Sequence, residues 1–194
     1  MSISVKIATS EKELNDVYQL RYQVYVESEG YYPQIKENYI KDKFDAGNKV
    51  ANIIAYDGDT PVGTMRANLD DDDLLPADHI VDFAEFRQSI IRHNEENNLA
   101  APVFGASSML AIAKPWRKNP IVFRELIRLS IEAGENWQVT HLLCAINAKF
   151  ARMHYRLGWQ PLAEKQWFEK ASEYVVPMGA ELESIRQWYD KAIG

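Results

Sequence analysis

Apolar residues recur along the chain with two periods, and each change of period marks an element. Leu14, Val17, Tyr18, Tyr22 and Tyr25, with Arg21 among them, fall at helical spacing behind Ser10 and Glu13, which are placed as a capping box. This predicts a helix over roughly 11–28, broken by "EGYYP". A second, shorter helical piece is expected in "QIKENYIKDKF". Two strand-like runs then flank Asp57-Gly58-Asp59 and read as a β-hairpin. "HIVDFAEFRQSIIRHNEEN" returns to helical period, and "FGASSMLAIA" is a strand rich in small residues. Asn119 and Pro120 suit the N-cap and first position of the next helix, with Phe123, Leu126, Ile127, Ile131 and Gly134 on one face. "VTHLLCAI" is a buried strand, and "NAKFARMHYRL" is a helix stopped by Gly158. "WQPLAEKQWFEK" and "EYVVPM" read as a late strand hairpin, and "ELESIRQWYDKAI" as a closing amphipathic helix. The order predicts an α/β fold: one mixed, twisted central sheet of about six to seven strands with helices on both faces. No composition break divides the chain, so a single domain over 1–194 is expected.

Composition changes this picture little. No apolar run approaches the roughly 20 residues needed to span a bilayer. The opening "MSISVKIATSEKE" has neither the basic nor the apolar region of a signal peptide and reads as the first strand. A cytoplasmic location is the default expectation. The single cysteine, Cys144, lies in an apolar run and reads as an inert buried thiol. His79, His93 and His141 have no ligand spacing, and Asp70–Asp73 reads as a solvated loop, so no metal is expected.

Charge is more informative. The net charge of −6 argues against nucleic-acid binding. Between Lys114 and Arg156, however, eight Lys/Arg face three Glu. That basic stretch is either a face for an anionic partner or a pair of solvated helices. Arg117 and Lys118 sit just before a helix N-terminus, an arrangement that attracts phosphate.

Two units carry the strongest signal: "SSMLAIAKPWRKNPIVFREL" and, about thirty residues on, "LLCAINAKFARMHYRLGW". Together they resemble the GNAT superfamily of N-acyltransferases. The second unit commonly reads N-x6-Y-x-x-x-G-[FW] in that family. Here Asn147, His154, Gly158 and Trp159 fit the spacing, with His154 on the tyrosine position. One branch is more similar still, the autoinducer (N-acyl-homoserine-lactone) synthases and the related long-chain N-acyl amino acid synthases. Their "LR-x-x-V-[FY]" helix is matched by Leu20, Arg21, Val24 and Tyr25. Their D-x-[FY]-D pair is matched by Asp42, Phe44 and Asp45, and their "G-x-x-R" strand by Gly63 and Arg66.

The chain departs from these patterns twice. Where autoinducer synthases carry "E-x-S-R-F", it has Ala106-Ser107-Ser108-Met109-Leu110, without the acid and the guanidinium. That puts homoserine-lactone formation in doubt. The phosphate turn Arg117-Lys118-Asn119-Pro120 has no glycine, and Pro120 removes a donor. Such a turn suits the single phosphate of a phosphopantetheine arm better than a pyrophosphate.

The resemblance implies transfer of an acyl group, medium or long, from an acyl-coenzyme A or acyl-phosphopantetheine thioester to a small-molecule amine such as an amino acid. An acyl carrier protein is a candidate partner for the basic stretch. The alternatives are a coenzyme A-dependent acetyltransferase of an unrelated amine, and a non-catalytic binding module of the same fold. The resemblance assigns the donor to Met109, Leu110, Ala111 and Ile112, to Arg117, Lys118 and Asn119, and to Asn147. It assigns the acceptor to Arg21, Tyr31, Asp42, Asp45, Arg66 and Ser107. Arg21 and Arg66 would bind a carboxylate and Asp42 and Asp45 an amine, unless these four residues pair with each other. The leaving thiolate would take its proton from His154 or from Tyr155. These lie about 100° apart around a helix, so both cannot face one sulfur. A third possibility is that neither takes part. Asp45 or a water chain is the candidate for removing the amine proton.

Overall fold

The computed structural model describes residues 3–34, 36–70 and 74–193. Of the acidic run Asp70–Asp73, the last three residues lie outside the described ones. In chain order the elements are β1 (Ile3–Ile7), α1 (Glu11–Tyr22), β2 (Val50–Asp57), β3 (Thr60–Leu69) and α2 (Ala84–Glu96). There follow β4 (Phe104–Ile112), α3 (Pro120–Asn136), β5 (His141–Asn147), α4 (Ala151–Arg156) and β6 (Gln160–Pro161). The chain ends with β7 (Gln166–Phe168), β8 (Glu173–Glu181) and α5 (Leu182–Ile193). The class is mixed α/β as expected, and the sheet has eight strands among the described residues where about six to seven were expected. Two compact units are present, residues 1–67 with 107–133, and residues 68–106 with 134–194. No helix among the described residues is long and apolar enough to cross a membrane.

In the first unit, Ser10 Oγ accepts from the Glu13 N–H (3.3 Å) and the Glu13 carboxylate accepts from the Ser10 N–H (3.1 Å). The capping box therefore starts α1. The helix runs on to Ser28, as its length predicted, but Gln23–Ser28 is wound as a π-helix. Such segments often occur at functional sites. The one expected over 34–44 does not form among the described residues. The Ile40 N–H donates instead to the Tyr18 carbonyl (3.0 Å), and Asn38 turns left-handed at φ +51°. Only a 3-10 turn, Lys43–Asp45, follows, capped by Asp42.

β2 and β3 form the predicted hairpin around Gly58, whose φ of +59° suits glycine. β1 lies antiparallel on β2, from Ile3↔Asp57 to Ile7↔Ile53. Val17 and Tyr18 of α1 pack with Ala8, Ile54 and Tyr56 in one buried cluster. Asn119 Oδ1 accepts from the Ile121 N–H (3.0 Å) at the start of α3. Leu126, Ile127, Ile131 and Gly134 are buried as expected, whereas Phe123 is half-buried and Val122 takes the innermost place. Val122 reaches so far in because Gly63 of β3 has no side chain. A methyl there would lie 2.7 Å from Val122 Cγ1.

In the second unit β4 begins parallel to β5, with Phe104↔His141 and Gly105↔Leu142 as partners. β5 and β8 are antiparallel from His141↔Glu181 to Asn147↔Val175. The expected late hairpin divides, since β6 and β7 pair separately with β8. Pro161 interrupts the run, and the Leu162 N–H returns to the Pro177 carbonyl (2.9 Å). α2 starts five residues later than its pattern suggests, where Asp82 Oδ1 accepts from the Ala84 N–H (2.8 Å). Its Phe86 and Ile90 lie on a core of Leu75, Val81, Phe83, Phe104, Leu143 and Val175. Cys144 is buried.

Candidate active site

Four charged residues predicted from separate motifs meet inside the first unit. Arg21 projects from α1 with no exposed surface. Its Nη1 donates to Asp45 Oδ1 (2.7 Å) and its Nη2 to Asn52 Oδ1 (2.7 Å). Arg66, on β3 and 1% exposed, donates through Nη1 to Asp42 Oδ1 (2.6 Å) and through Nη2 to Asp42 Oδ2 (3.2 Å). The same Nη1 lies 3.1 Å from Asp45 Oδ1, and Nε donates to Ser108 Oγ (3.2 Å). Asp45 therefore stands between two guanidiniums. Its other oxygen accepts from the Asp42 N–H (2.9 Å), and Asn52 Nδ2 donates to the Asp45 carbonyl (3.3 Å).

In this structure the four residues pair with one another. Both guanidiniums already hold resident aspartates. Burial alone would raise the Asp45 pKa, but Arg21 and Arg66 outweigh it and hold the carboxyl below its usual value. The four side chains are neutral as a set. Their outer edge is Asp42, whose side chain is 38% exposed.

The π-helical turn brings a further residue to β4. The Tyr25 hydroxyl donates to the Leu110 carbonyl (2.8 Å), and burial pushes its pKa up. Its ring meets those of Tyr31 and Tyr32 at 6.3 and 6.1 Å. Within β4, Met109 takes a left-handed φ of +54°. A non-glycine residue in that region in mid-strand is strained, and such strain gathers at functional sites. Ser107 Oγ hydrogen-bonds Ser130 Oγ of α3 (2.8 Å).

Beyond β4, Arg117 is engaged rather than open. Its Nε donates to the Ile112 carbonyl (3.0 Å) and its Nη1 pairs with Glu29 Oε1 (2.6 Å). The contact with Arg117 lowers the Glu29 pKa. Lys118 is exposed, and Asn119 is occupied in capping α3.

In the second unit, Asn147 ends β5. Its Nδ2 donates to the Glu173 carboxylate, which also holds Lys149 Nζ (2.5 Å), while its Oδ1 accepts from the Lys149 N–H (2.9 Å). His154 and Tyr155 differ sharply. Tyr155 is 44% exposed, whereas His154 is half-buried against the edge of Trp159 at 6.1 Å. His154 Nδ1 lies 3.0 Å from the Phe150 carbonyl. A carbonyl only accepts, so Nδ1 carries the proton and Nε2 holds the lone pair of the neutral ring. Burial lowers the His154 pKa below its usual value, against a smaller opposing effect of that hydrogen bond. At pH 7 its free nitrogen is then a proton acceptor.

The sequence did not single out Asn52, Ser108, Glu29 or Glu173, and it marked Tyr25 only as part of the first helix motif. Each acts through a partner distant in the chain, such as Leu110, 85 residues from Tyr25. No local pattern marks such pairs.

The family model described as "N-acyl amino acid synthase FeeM" matches residues 16–181. No curated protein sequence matches. Among solved structures, that of FeeM, an N-acyl amino acid synthase from uncultured soil microbes, is similar at a TM-score of 0.75 and 15% identity. The alignment covers 96% of this chain and 92% of that one. BjaI, a CoA-dependent acyl-homoserine lactone synthase solved with SAM and isopentyl-CoA, aligns at TM-score 0.63 and 13% identity, covering 97% and 88%. A GNAT-family acetyltransferase from Streptococcus pneumoniae aligns at 0.60 and 12%, covering 93% and 99%.

Proposed function

The chain belongs to the family of N-acyl amino acid synthase FeeM, an N-acyltransferase family, and from that premise we propose that it moves a medium or long acyl group from a thioester to the amine of a small metabolite such as an amino acid. The donor is an acyl-coenzyme A or the acyl-phosphopantetheine arm of a carrier protein. One observation carries this reading. The family match spans residues 16–181 and so includes both the Arg21–Asp42–Asp45–Arg66 cluster and the left-handed Met109 of β4. The whole chain then serves as one catalytic domain.

The chemistry requires a neutral amine, a polarised thioester carbonyl and a proton for the departing sulfur. The amine nitrogen attacks the carbonyl carbon, the C–S bond breaks, and the thiolate takes a proton. A peptide N–H between Met109 and Ile112, through Leu110 and Ala111, polarises the carbonyl, next to the left-handed turn of the backbone at Met109. Arg117, Lys118 and the Asn119-capped start of α3 take the donor phosphate, and Asn147 orients the donor arm. His154 Nε2 accepts a proton as the amine attacks and returns it to sulfur. Tyr155, more exposed, is the alternative donor. Tyr31 and Ser107 flank the acceptor subsite, whose charged frame is Arg21, Asp42, Asp45 and Arg66. An acidic carrier protein fits the basic stretch from 114 to 156. Arg152, Met153 and Arg156 of that stretch, with the adjacent Leu157 and with Trp188 of α5, line a depression of about 480 Å³.

The test offers palmitoyl and octanoyl thioesters of coenzyme A and of acyl carrier protein with pooled amino acids and amines. Free thiol release and mass spectrometry of N-acyl products are the readouts. Amine-dependent thiol release is expected from at least one donor. No amine-dependent release from any donor would overturn the reading.

A further inference from the structure

The accessible valences of the charged cluster specify what an acceptor can offer it. Arg21 has no exposed surface, and its two Nη groups are held by Asp45 and Asn52. Arg66, 1% exposed, is held by Asp42 on both Nη groups, by Asp45 on Nη1 and by Ser108 on Nε. Neither guanidinium presents an accessible donor fork, which is what recognition of a carboxylate needs.

Asp42 is the exception. A carboxylate oxygen accepts about two hydrogen bonds. Asp42 Oδ1 already takes Arg66 Nη1 (2.6 Å) and the Phe44 N–H (2.8 Å). Among the described residues, Oδ2 takes only Arg66 Nη2 (3.2 Å). The one partly exposed charged side chain of the cluster thus has an open position, and that position accepts a proton-bearing group. Arg66 and the Phe44 N–H fix the carboxylate in place, so little ordering is needed when a ligand binds.

We infer that this subsite recognises its acceptor by the amine, at Asp42 Oδ2, and does not read a carboxylate; the acceptor class is primary amines in general, with the carboxylate of an amino acid tolerated rather than required. This rests on the acyltransferase reading above and narrows it. Asp42 acts as a binding residue for the nucleophile. Arg66 and Asp45 are positioning residues that hold it.

The experiment uses the full chain with the thioester found active above. Leucine, phenylalanine and lysine are each compared with their decarboxylated amines (3-methylbutylamine, 2-phenylethylamine and 1,5-diaminopentane) and with the deaminated acids of the first two. At least one decarboxylated amine should be acylated with a kcat/KM within about tenfold of its amino acid or better, and the acids should not inhibit. Acylation of the amino acids alone, amines all worse than tenfold, or competitive inhibition by the acids would overturn the inference while leaving the acyltransferase reading intact. Failure of every acceptor would instead count against the acyltransferase reading. Asp42→Asn should raise KM for the amine by about tenfold or more, the loss of a hydrogen bond to a charged group, with the donor KM unchanged. An equal rise in both would mark Asp42 as structural. The wild-type comparison decides the matter should that variant not fold.

Discussion

Asp45→Asn tests the frame of the site most directly. The wild-type carboxylate is fully buried, with Arg21 Nη1 at 2.7 Å and Arg66 Nη1 at 3.1 Å on one oxygen and the Asp42 N–H at 2.9 Å on the other. All of its neighbours donate. An amide in either orientation must set its NH2 against one of them, and Arg21 then keeps only the neutral Asn52 while Arg66 keeps Asp42. Removing one partner from a buried ion pair costs about 3–5 kcal/mol. In a chain of 194 residues that lowers Tm by roughly 6–20 °C, at about 2–4 °C per kcal/mol. Urea unfolding followed by circular dichroism should give this loss as a lower midpoint at unchanged slope. Asp42→Asn is the control. Its carboxylate is partly solvated, so screening should hold its cost to about half or less. The pH dependence has a defined sign. The Asp45 pKa is depressed in the folded state, so its contribution is complete above the unfolded value of about 3.9 and is lost as pH falls through the folded one. The penalty of Asp45→Asn should therefore shrink below about pH 4. A loss under about 1 kcal/mol at neutral pH, an exposed pair's worth, would refute the claim that this charge holds the cluster.

Other outcomes follow from contacts elsewhere. His154→Phe should cut kcat by about 10², and a loss under about threefold would remove it from the mechanism. Because burial lowers the His154 pKa, the rising limb of the wild-type pH–rate profile should lie below about pH 6.5 and vanish in the variant. Glu29→Gln releases Arg117 from a partly exposed ion pair. The donor KM should then fall by up to about fivefold, the worth of about 1 kcal/mol, and a rise would show that Glu29 assists binding. Gly63→Ala drives a methyl into Val122 and should destabilise by about 1–3 kcal/mol, measured by thermal unfolding. Tyr25→Phe removes the hydroxyl bonded to the Leu110 carbonyl and should cost about 1 kcal/mol, measured by thermal unfolding.

Several features were legible in the chain because their causes are local. Ser10 and Glu13 cap α1 from three residues apart, Asn119 and Pro120 open α3, and Gly58 closes the hairpin. Each follows from the hydrogen-bonding or conformational preference of residues within one turn of each other. The same local logic wrongly favours a helix over 34–44, because the competing partner of Ile40 is a carbonyl on α1, 22 residues earlier. The motifs carrying Arg21, Asp42, Asp45 and Arg66 were visible as separate fragments. Their arrangement was not, since two guanidiniums and two aspartates in one family pattern say nothing of whether they touch. Only the tertiary structure shows that they do. It brings residues 24 apart in sequence to within 3 Å, buries both arginines and leaves one carboxylate edge open. The sequence by itself determined which elements form and which charged groups are available. Burial, which depends on what packs over a side chain from distant parts of the chain, determined which of those groups are closed off and which one, Asp42, stays partly exposed.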